Sequence, residues 1–586
     1  MRDFLRLNKE ARSRPMPAIS HDIAPRVYPF LHQSMAKHDF LRMGRIGRSD
    51  PNQDRGRSDS VLYASSRGLL AKARSWPAMI SSMASTEDTT RVGDLVQLQQ
   101  HEWAVLVREH CQGELGVGAQ LVSCILNFKD DMLYKWFLPI LKKHIYDDHH
   151  NDFFFNFEDV GKICCTWFGP YPRVIISNLD MIRDILSTKF DHFEKSKINP
   201  LAELLITGLL TYEGDKWAKH RRIINPAFHV EKLKRMLPAF STCCAELIAG
   251  WEKLVGPNGS CELDVWPDLQ NFTGDVISRT AFGSSFEEGR RIFQLQVEQA
   301  ELLIQGLQNI FIPGYRFFPT KRNRRMKEIA KEVRELLRNM IMKREKAMKL
   351  GVTPNDDLLS LLLESNLKYY KENGSVEKFK MTSEDVIEEC KLFYFAGQET
   401  TSVLLTWTMV VLSVNPSWQA RAREEVLQVF GKAKPDFDSL SQLKVVTMIL
   451  YEVLRLYPPA AFLLRTTNKT MELGGFTFPS GVHFLLPILS IHHDPMLWGE
   501  DANEFNPQRF SEGVSKASKH QMAFFPFGSG PRICIGQNFA MVEAKLGLAT
   551  ILQHFIFDLA PSYRHAPYTI ITLQPQHGAQ LILHKL

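Results

Sequence analysis

The chain has 586 residues, of which 44% are hydrophobic and 23% charged, a composition typical of a globular protein with a large core. Its net charge of +6 is only mildly basic and excludes the strongly basic surface of a dedicated nucleic-acid-binding protein. The nine cysteines show no C-x-x-C spacing, which excludes a disulfide framework. They favour a protein that is exposed to the reducing environment of the cytosol.

The N-terminal part of the chain differs in character from the rest. Residues 1–38 contain a predicted helix at 24–37, but no apolar run of the eighteen or so residues that a membrane span requires. Residues 39–160 have a mixed, non-periodic composition, which favours a disordered segment or an artefact of the gene model over a folded domain. Length alone predicts more than one domain, but motifs that spread from Trp217 to Cys534 must converge on one site, which predicts a single domain over 161–586.

Within 161–586, helical periodicity dominates and strands are a minority. The chain predicts a strand at 172–176, helices at 179–187, 230–254, 264–281, 288–309 and 322–350, a long helix at 383–415, helices at 417–430 and 440–456, a hairpin at 475–482, a strand to 488, a helix through 546–554 and strand-like alternation at 573–584. The long helix has a capping box at Thr382 and Asp385 and ends before Pro416. The fold class is therefore mostly α with small β-sheets.

The long predicted helix carries the sequence Ala396-Gly397-Gln398-Glu399-Thr400-Thr401. Glycine inside a helix costs ~1 kcal/mol relative to alanine, and a threonine hydroxyl can bond the carbonyl four residues back and bend the helix. Together they predict a groove that holds water and admits a flat ligand, with Glu399 and Thr400 relaying protons. The alternative is an ordinary buried helix with a polar patch.

A second segment, Phe527-Gly528-Ser529-Gly530-Pro531-Arg532-Ile533-Cys534-Ile535-Gly536, places one cysteine in a loop with three glycines. The positive charge of Arg532 and the free N–H groups of the following helix favour the thiolate, which is the form of cysteine that binds metals. Gly530 and Gly536 allow unusual turns and a close approach to a flat ligand. The loop therefore predicts one metal-binding thiolate, the alternative being an inert cysteine in a chance glycine-rich loop.

This segment fills every position of the signature F-x-x-G-x-R-x-C-x-G and so resembles the cytochrome P-450 superfamily of haem-thiolate monooxygenases. The resemblance implies a single haem domain of the cytochrome P-450 fold, with Cys534 as the axial ligand of the iron of haem b. It also implies a set of further cofactor-binding residues: Phe527, Gly530, Gly536 and Arg532 of the loop, Trp217 and Arg221 of a W-x-x-x-R helix, and Arg465.

Two more motifs gain a meaning from the resemblance. Glu399 and Thr400 match the acid and alcohol of the oxygen-activation motif and would be catalytic. Glu452 and Arg455 lie one helical turn apart, which by itself favours a surface ion pair worth under ~1 kcal/mol. The resemblance instead implies a buried pair that Arg509 completes, a structural ion network required for haem incorporation. Family members more often carry Glu at the position of Gln508.

The segments 190–195 and 217–228 resemble a plant branch that includes secologanin synthase and triterpenoid oxidases. This implies insertion of one oxygen atom from O2 into a C–H bond of a hydrophobic terpenoid, triterpenoid or related hormone, with electrons from NADPH through a separate reductase. The apolar segments 201–209 and 460–464 are candidate pocket walls. Lys216, Lys219, His220 and Arg222 predict a positive face for an acidic electron donor, the alternative being a solvated charged face.

Members of that branch begin with a membrane anchor and a linker, and segment 1–38 resembles the region that follows them. The resemblance implies contact with the membrane surface on the cytosolic face of the endoplasmic reticulum, although this chain as given has no anchor. One alternative is a non-catalytic or misfolded product of an aberrant gene model that carries the 39–160 insertion. Another is an oxygen-independent isomerase or dehydratase of the same superfamily, which the Glu399-Thr400 pair disfavours.

Overall fold

The structure is a computed structural model that describes residues 163–168, 171–196, 201–283, 286–306, 317–350, 357–364 and 381–586. The predicted N-terminal helix at 24–37 and the predicted insertion at 39–160 lie outside the described residues. The helices are α1 Leu179–Arg183, α2 Ala202–Leu205, α3 Gly214–Ile224, α4 Val230–Val255, α5 Val265–Phe282, α6 Phe286–Gln305, α7 Lys321–Lys349, α8 Ser383–Ser413, α9 Pro416–Phe430, α10 Lys444–Leu456, α11 Ile488–His492, α12 Pro495–Trp498 and α13 Gln537–His554.

The strands of the described residues form four small sheets. They are β1 Ile163–Phe168, β2 Tyr171–Ile176, β3 Phe193–Glu194, β4 Ser260–Asp264, β5 Leu463–Thr467, β6 Met471–Leu473, β7 Phe476–Phe478, β8 His483–Leu486, β9 Phe555–Leu559, β10 Pro567–Thr569, β11 Leu573–Pro575 and β12 Gln580–Lys585. The largest sheet has the order β1-β2-β8-β5-β3, and a second has the order β4-β12-β9. The pairs β6-β7 and β10-β11 complete the set.

The five-stranded sheet brings distant parts of the chain together. Strand β2 pairs with β8 in parallel, with Val174 opposite Phe484, while β5 pairs with β8 antiparallel, with Arg465 opposite Phe484. Val174 and Phe484 are fully buried in an apolar cluster that also contains Leu186 of the turn after α1. Because of this pairing, the sheet fixes the position of Arg465 relative to the N-terminal part of the domain.

Helix α8 is the centre of the helical layer. The capping box at Thr382 and Asp385 begins the helix, and its 31 residues span roughly 46 Å at 1.5 Å per residue. It packs against α5, α7, α10 and α13 within the main hydrophobic core, where Tyr394 and Trp407 are fully buried. Among the described residues, no helix is both long and apolar enough to cross a membrane.

Most of the predicted elements and the predicted fold class are confirmed, and the differences are local. The predicted helix at 179–187 ends as an α-helix at Arg183 and continues as a π-helical turn, Asp184–Thr188. The hairpin predicted at 475–482 is wrong, since β6 and β7 turn at Gly474 and Gly475, which have φ of 59° and 80°. The alternation predicted at 573–584 is two strands, β11 and β12, with a turn between them.

Candidate active site

The loop before α13 is closed by its own backbone. The Cys534 N–H donates to the carbonyl of Phe527 over 2.9 Å. Gly530 has φ of 71°, and a Cβ there would lie 2.0 Å from the carbonyl oxygen of Leu186, so only glycine fits. The unusual turn expected at Gly536 is wrong, because its φ of −86° suits any residue. A Cβ at Gly536 would lie 3.9 Å from Cys534 Sγ, an ordinary van der Waals contact, so this position directly adjoins the sulfur.

The Cys534 side chain is exposed, yet it is recessed among dense protein. Burial raises the pKa of its thiol, while the Gly536 N–H and the charges of Arg221 and Lys195 oppose that rise. A bound metal cation would add to the same positive field and displace the proton. The sulfur is therefore accessible and placed to become a thiolate ligand when a metal binds.

Helix α3 lies against this loop through the two residues of its W-x-x-x-R motif. Arg221 Nη1 donates to the carbonyl oxygen of Ile533 over 2.7 Å, next to Cys534. The guanidinium carbon of Arg532 lies 4.5 Å from the centre of the Trp217 ring, a cation–π contact. The motif and the cysteine loop are therefore one structural unit, although they are far apart in sequence.

A group of cations surrounds the same place. Arg465 in β5 is 5% exposed, and burial together with the charge of Arg532 lowers its pKa to about 10. Burial also lowers the pKa of Lys195 well below its usual value; Arg465 and Arg532 add to this shift, and Glu213 and Cys534 oppose it. Arg532 itself donates to Glu213 and to the carbonyl of Tyr212.

Sequence reasoning did not assign Lys195 to the site, because a single lysine in a loop has no spacing that marks it.

These residues fit haem. The cations Lys195, Arg221, Arg465 and Arg532 outnumber the nearby carboxylates of Glu213 and Glu194, which is unfavourable in a recessed site unless an anionic group balances them. Arginine forks suit carboxylates such as the two propionates of haem. The site therefore offers one thiol that can ionise and bind a metal, and an excess of cations that can bind the negative groups of a dianionic metal cofactor.

The motif on α8 is arranged partly as the sequence predicts. Thr400 Oγ1 donates to the carbonyl of Ala396, four residues back, over 2.9 Å. A Cβ at Gly397 would lie 2.6 Å from Ile277 Cγ1 of α5, so the glycine allows α5 and α8 to pack closely. Ala396, Gly397 and Thr400 are each partly exposed, and the groove expected beside them stays a prediction.

Glu399 faces a different part of the protein. Its carboxylate is 5% exposed and its Oε1 accepts hydrogen bonds from Thr572 Oγ1, over 2.6 Å, and from Gln574 Nε2. Burial raises the pKa of Glu399, and the two donors oppose the rise. Sequence reasoning missed Thr572 and Gln574, because the strand alternation around them gave no sign of which helix they contact.

Glu452 and Arg455 are both fully buried, which excludes the surface ion pair. Arg455 donates Nε to Glu452 Oε2 over 2.8 Å and Nη2 to Oε1 over 2.6 Å. Its remaining donors reach the carbonyls of His492, Ala502 and Glu504. The Nε of Arg509 lies 3.4 Å from Glu452 Oε1. These contacts join α10 to the segment that leads into the cysteine loop.

The predicted positive face on α3 is only partly present. His220 is fully buried, and its Nδ1 lies 2.6 Å from Glu389 Oε1, so its assignment to that face is wrong. Lys216 is paired with Asp385 at 2.8 Å. Arg222 is exposed and Lys219 is half-buried, and these two remain of the predicted set.

The two predicted pocket walls lie in different apolar regions. Leu201 and Leu205 of the first wall form a buried cluster with Phe395 of α8, and Ile571 packs against it. In the second wall, Leu463 packs against the cluster beneath the five-stranded sheet. Its Cδ1 lies 3.9 Å from the Cβ that a side chain at Gly528 would have, so this wall adjoins the cysteine loop.

Comparison with known proteins agrees with this geometry. Residues 133–582 match the sequence model of the family described as Cytochrome P-450. Cytochrome P-450 CYP72A616 of Paris polyphylla is 68% identical over 426 residues, 73% of this chain and 82% of that protein. Cytochrome P-450 72A397 of Kalopanax septemlobus is 59% identical over 426 residues, 73% of this chain and 82% of that protein.

A third relative has a name that describes its activity. The 11-oxo-beta-amyrin 30-oxidase of Glycyrrhiza uralensis is 55% identical over 426 residues, covering 73% of this chain and 81% of that protein. The family model spans most of the chain, and these plant proteins match it at high identity. The chain belongs to the plant branch of the cytochrome P-450 family, whose members are haem b monooxygenases that receive electrons from NADPH through a reductase.

Proposed function

We propose that this protein hydroxylates a bulky, apolar terpenoid at a haem held by Cys534. The observation that carries the proposal is the accessible Cys534 sulfur in a loop beside the cations Arg221, Arg465 and Arg532. In this proposal, Trp217, Phe527, Gly530 and Gly536 shape the cradle around the cofactor. Glu452, Arg455 and Arg509 hold the loop's supporting segment and take no part in the chemistry.

The roles of the residues follow from their surroundings. Haem bound through a thiolate supplies oxygen activation, because the thiolate donates electron density that favours O–O cleavage. Arg221, Arg465 and Arg532, with Lys195, hold the propionates and so fix the orientation of the cofactor. Burial raises the pKa of the Glu399 carboxyl and so favours its protonated form, and the neighbouring hydroxyl of Thr400 would pass protons from it toward the reacting oxygen.

The proposed substrate class rests on two observations. A relative is named for oxidising 11-oxo-beta-amyrin, which is a triterpenoid. In this chain, the apolar cluster of Leu201, Leu205 and Phe395, with Ile571 against it, lies along the α8 turn that precedes Glu399. An apolar wall at that place favours a large hydrocarbon skeleton over a charged substrate.

The proposed electron donor and cellular location rest on the family of the protein more than on the geometry of the site. We infer that the electron donor is an NADPH–cytochrome reductase that docks where Arg222 is exposed on α3, the helix whose Arg221 contacts the cysteine loop. The proposed location is the cytosolic face of the endoplasmic reticulum, in contact with its membrane. Free cysteines throughout the described part of the chain suit the reducing side of that membrane.

The test is the absorption spectrum of the reduced, carbon-monoxide-bound protein. We expect the red-shifted Soret band of a thiolate-ligated haem, and we expect Cys534→Ser to lose it. Cys261→Ser, which changes a half-buried cysteine in β4, is the matched control and should keep the band. A histidine-type band, or no haem in either protein, would support the non-catalytic alternative.

The substrate class needs its own measurement. Triterpenoids such as 11-oxo-beta-amyrin should change the haem spin state on titration, and with NADPH and reductase they should yield a product heavier by one oxygen atom. Monoterpenes serve as the comparison. Turnover of small terpenes without any spectral response to triterpenoids would contradict the proposed class and leave the monooxygenase assignment intact.

A further inference from the structure

The hairpin β10–β11 contributes two side chains to the carboxylate of Glu399. Thr572 and Gln574 are two residues apart at the start of β11, so in extended backbone they project to the same side. Thr572 Oγ1 donates to Glu399 Oε1 over 2.6 Å, and Gln574 Nε2 donates to the same oxygen. Gln574 Nε2 also lies 3.3 Å from Thr572 Oγ1, so the three groups form one cluster.

The residue between these two holds the hairpin in place. Leu573 is 1% exposed, and its N–H donates to the carbonyl of Pro459 over 3.0 Å. Its carbonyl accepts from Nε1 of Trp407 over 2.7 Å, and Trp407 lies two turns after Glu399 on α8. Because Leu573 is fixed from both sides, Thr572 and Gln574 have little freedom to leave Glu399.

This arrangement acts on the one carboxyl of the oxygen-activation motif. Glu399 is 5% exposed, and two donors to a single oxygen favour its anion, while burial favours its protonated form. Thr400 bonds its own helix at Ala396 and contributes no contact to this cluster. The orientation of the acid is therefore determined by the hairpin more than by the neighbouring alcohol.

We propose that Thr572 and Gln574 are positioning residues that orient Glu399 and set how readily it releases its proton. The C-terminal hairpin is then part of the proton-delivery apparatus of the oxygen chemistry. This inference rests on the proposed role of Glu399 as the proton donor. Neither residue touches the cofactor loop, and each acts only through the Glu399 carboxyl.

The test follows the Glu399 carboxyl directly, by infrared spectroscopy of the holoenzyme across a pH series. The band that disappears in Glu399→Gln belongs to Glu399. Thr572→Val removes one donor to the anion and should raise the pH at which this band titrates by about one unit or more. Thr572→Ser keeps the hydroxyl and should restore the titration of the unmodified protein.

A second variant and a second readout guard against misfolding. Gln574→Met keeps the length of the side chain, removes the donor and should shift the band in the same direction. Both donor-free variants should also release more hydrogen peroxide per NADPH than the unmodified protein in the reductase system, as Thr400→Ala should, but Thr400→Ala should leave the Glu399 band unchanged.

The two proposals fail in different ways. A protein without the thiolate spectrum overturns the proposed function. A protein that has the spectrum, but whose Glu399 band titrates identically with and without the Thr572 hydroxyl and the Gln574 amide, overturns only this inference.

Discussion

At the scale of single residues, burial and hydrogen-bond donors have opposite effects on the pKa values of the acids in the site. Burial raises the pKa of both Cys534 and Glu399, and hydrogen-bond donors close to each group oppose the rise. A third acid has less compensation of this kind. Glu543 on α13 is fully buried, and neither carboxylate oxygen has a partner with hydrogen-bond geometry among the described residues. Burial raises its pKa well above the usual value, and only the nearby Thr401 hydroxyl offsets this.

We expect Glu543→Gln to stabilise the protein progressively as pH rises from about 4 toward 7. The unfolded chain loses the Glu543 proton near pH 4.3 while the folded chain keeps it, so the free energy of unfolding falls with pH by up to about 1.4 kcal/mol per unit. Glutamine has no proton to hold and removes this loss. Urea unfolding at several pH values measures the difference, with exposed Glu500→Gln as control. A difference that stays constant with pH would contradict the prediction.

At the scale of elements, the contact between α5 and α8 explains why Gly397 lies in the interior of α8. Alanine at position 397 would gain up to ~1 kcal/mol in helix propensity. Its Cβ would, however, lie 2.6 Å from Ile277 Cγ1 and 2.8 Å from Cδ1, and a β-branched side chain in a packed core has little room to move. The clash outweighs the gain in propensity.

Gly397→Ala should therefore lower the free energy of unfolding by roughly 1–3 kcal/mol. In a background of Ile277→Ala, which lacks Cγ1 and Cδ1 and keeps only the Cβ at 3.0 Å, the same change should cost much less. A double-mutant cycle by urea denaturation measures this coupling. An equal loss in both backgrounds would mean that the glycine is required for a reason other than its contact with Ile277.

The same scale shows how far the sequence predicts the structure. Helices such as α4, α5 and α8 follow from their periodicity and caps, because these are local properties. Gly397 is expected to open a groove and Gly536 to make an unusual turn, whereas the structure places the Gly397 backbone against Ile277 and gives Gly536 a φ of −86°. Lys195 and Thr572 reach the site only through tertiary contacts. Pairings between distant segments leave no periodic trace in one sequence, so these residues were missed.

At the scale of the whole molecule, buried polar contacts add to apolar packing in fixing the segment 492–504 against α10. Arg455 alone joins Glu452 on its own helix to three backbone carbonyls between His492 and Glu504. The segment thus fixed leads through Phe525, whose N–H lies 3.3 Å from His492 Nε2, into the cysteine loop. The position of the cofactor ligand therefore depends on an ion pair on another helix.

Arg455→Lys should destabilise the protein by about 3 kcal/mol or more, although the charge is kept. An ammonium is a point charge and cannot serve Glu452 and three carbonyls in the planar pattern of a guanidinium, so buried acceptors lose their donors. Thermal unfolding and the yield of the thiolate Soret band measure the effect. The exposed Arg222→Lys should change stability by no more than about 0.5 kcal/mol. Equal yields of the band in both variants would contradict the structural role.

The three-stranded sheet has a consequence for how the chain is made. Strand β12 lies between β4 and β9, so neither neighbour has its partner until residue 585 has left the ribosome. Thr572 and Gln574 emerge shortly before it, long after Glu399. Until then, Glu399 lacks its two hydrogen-bond donors and β4 has an unpaired edge. Folding of this domain is completed after translation of its C-terminal strands, and a ribosome that stalls before them displays a chain whose active-site acid has no fixed orientation.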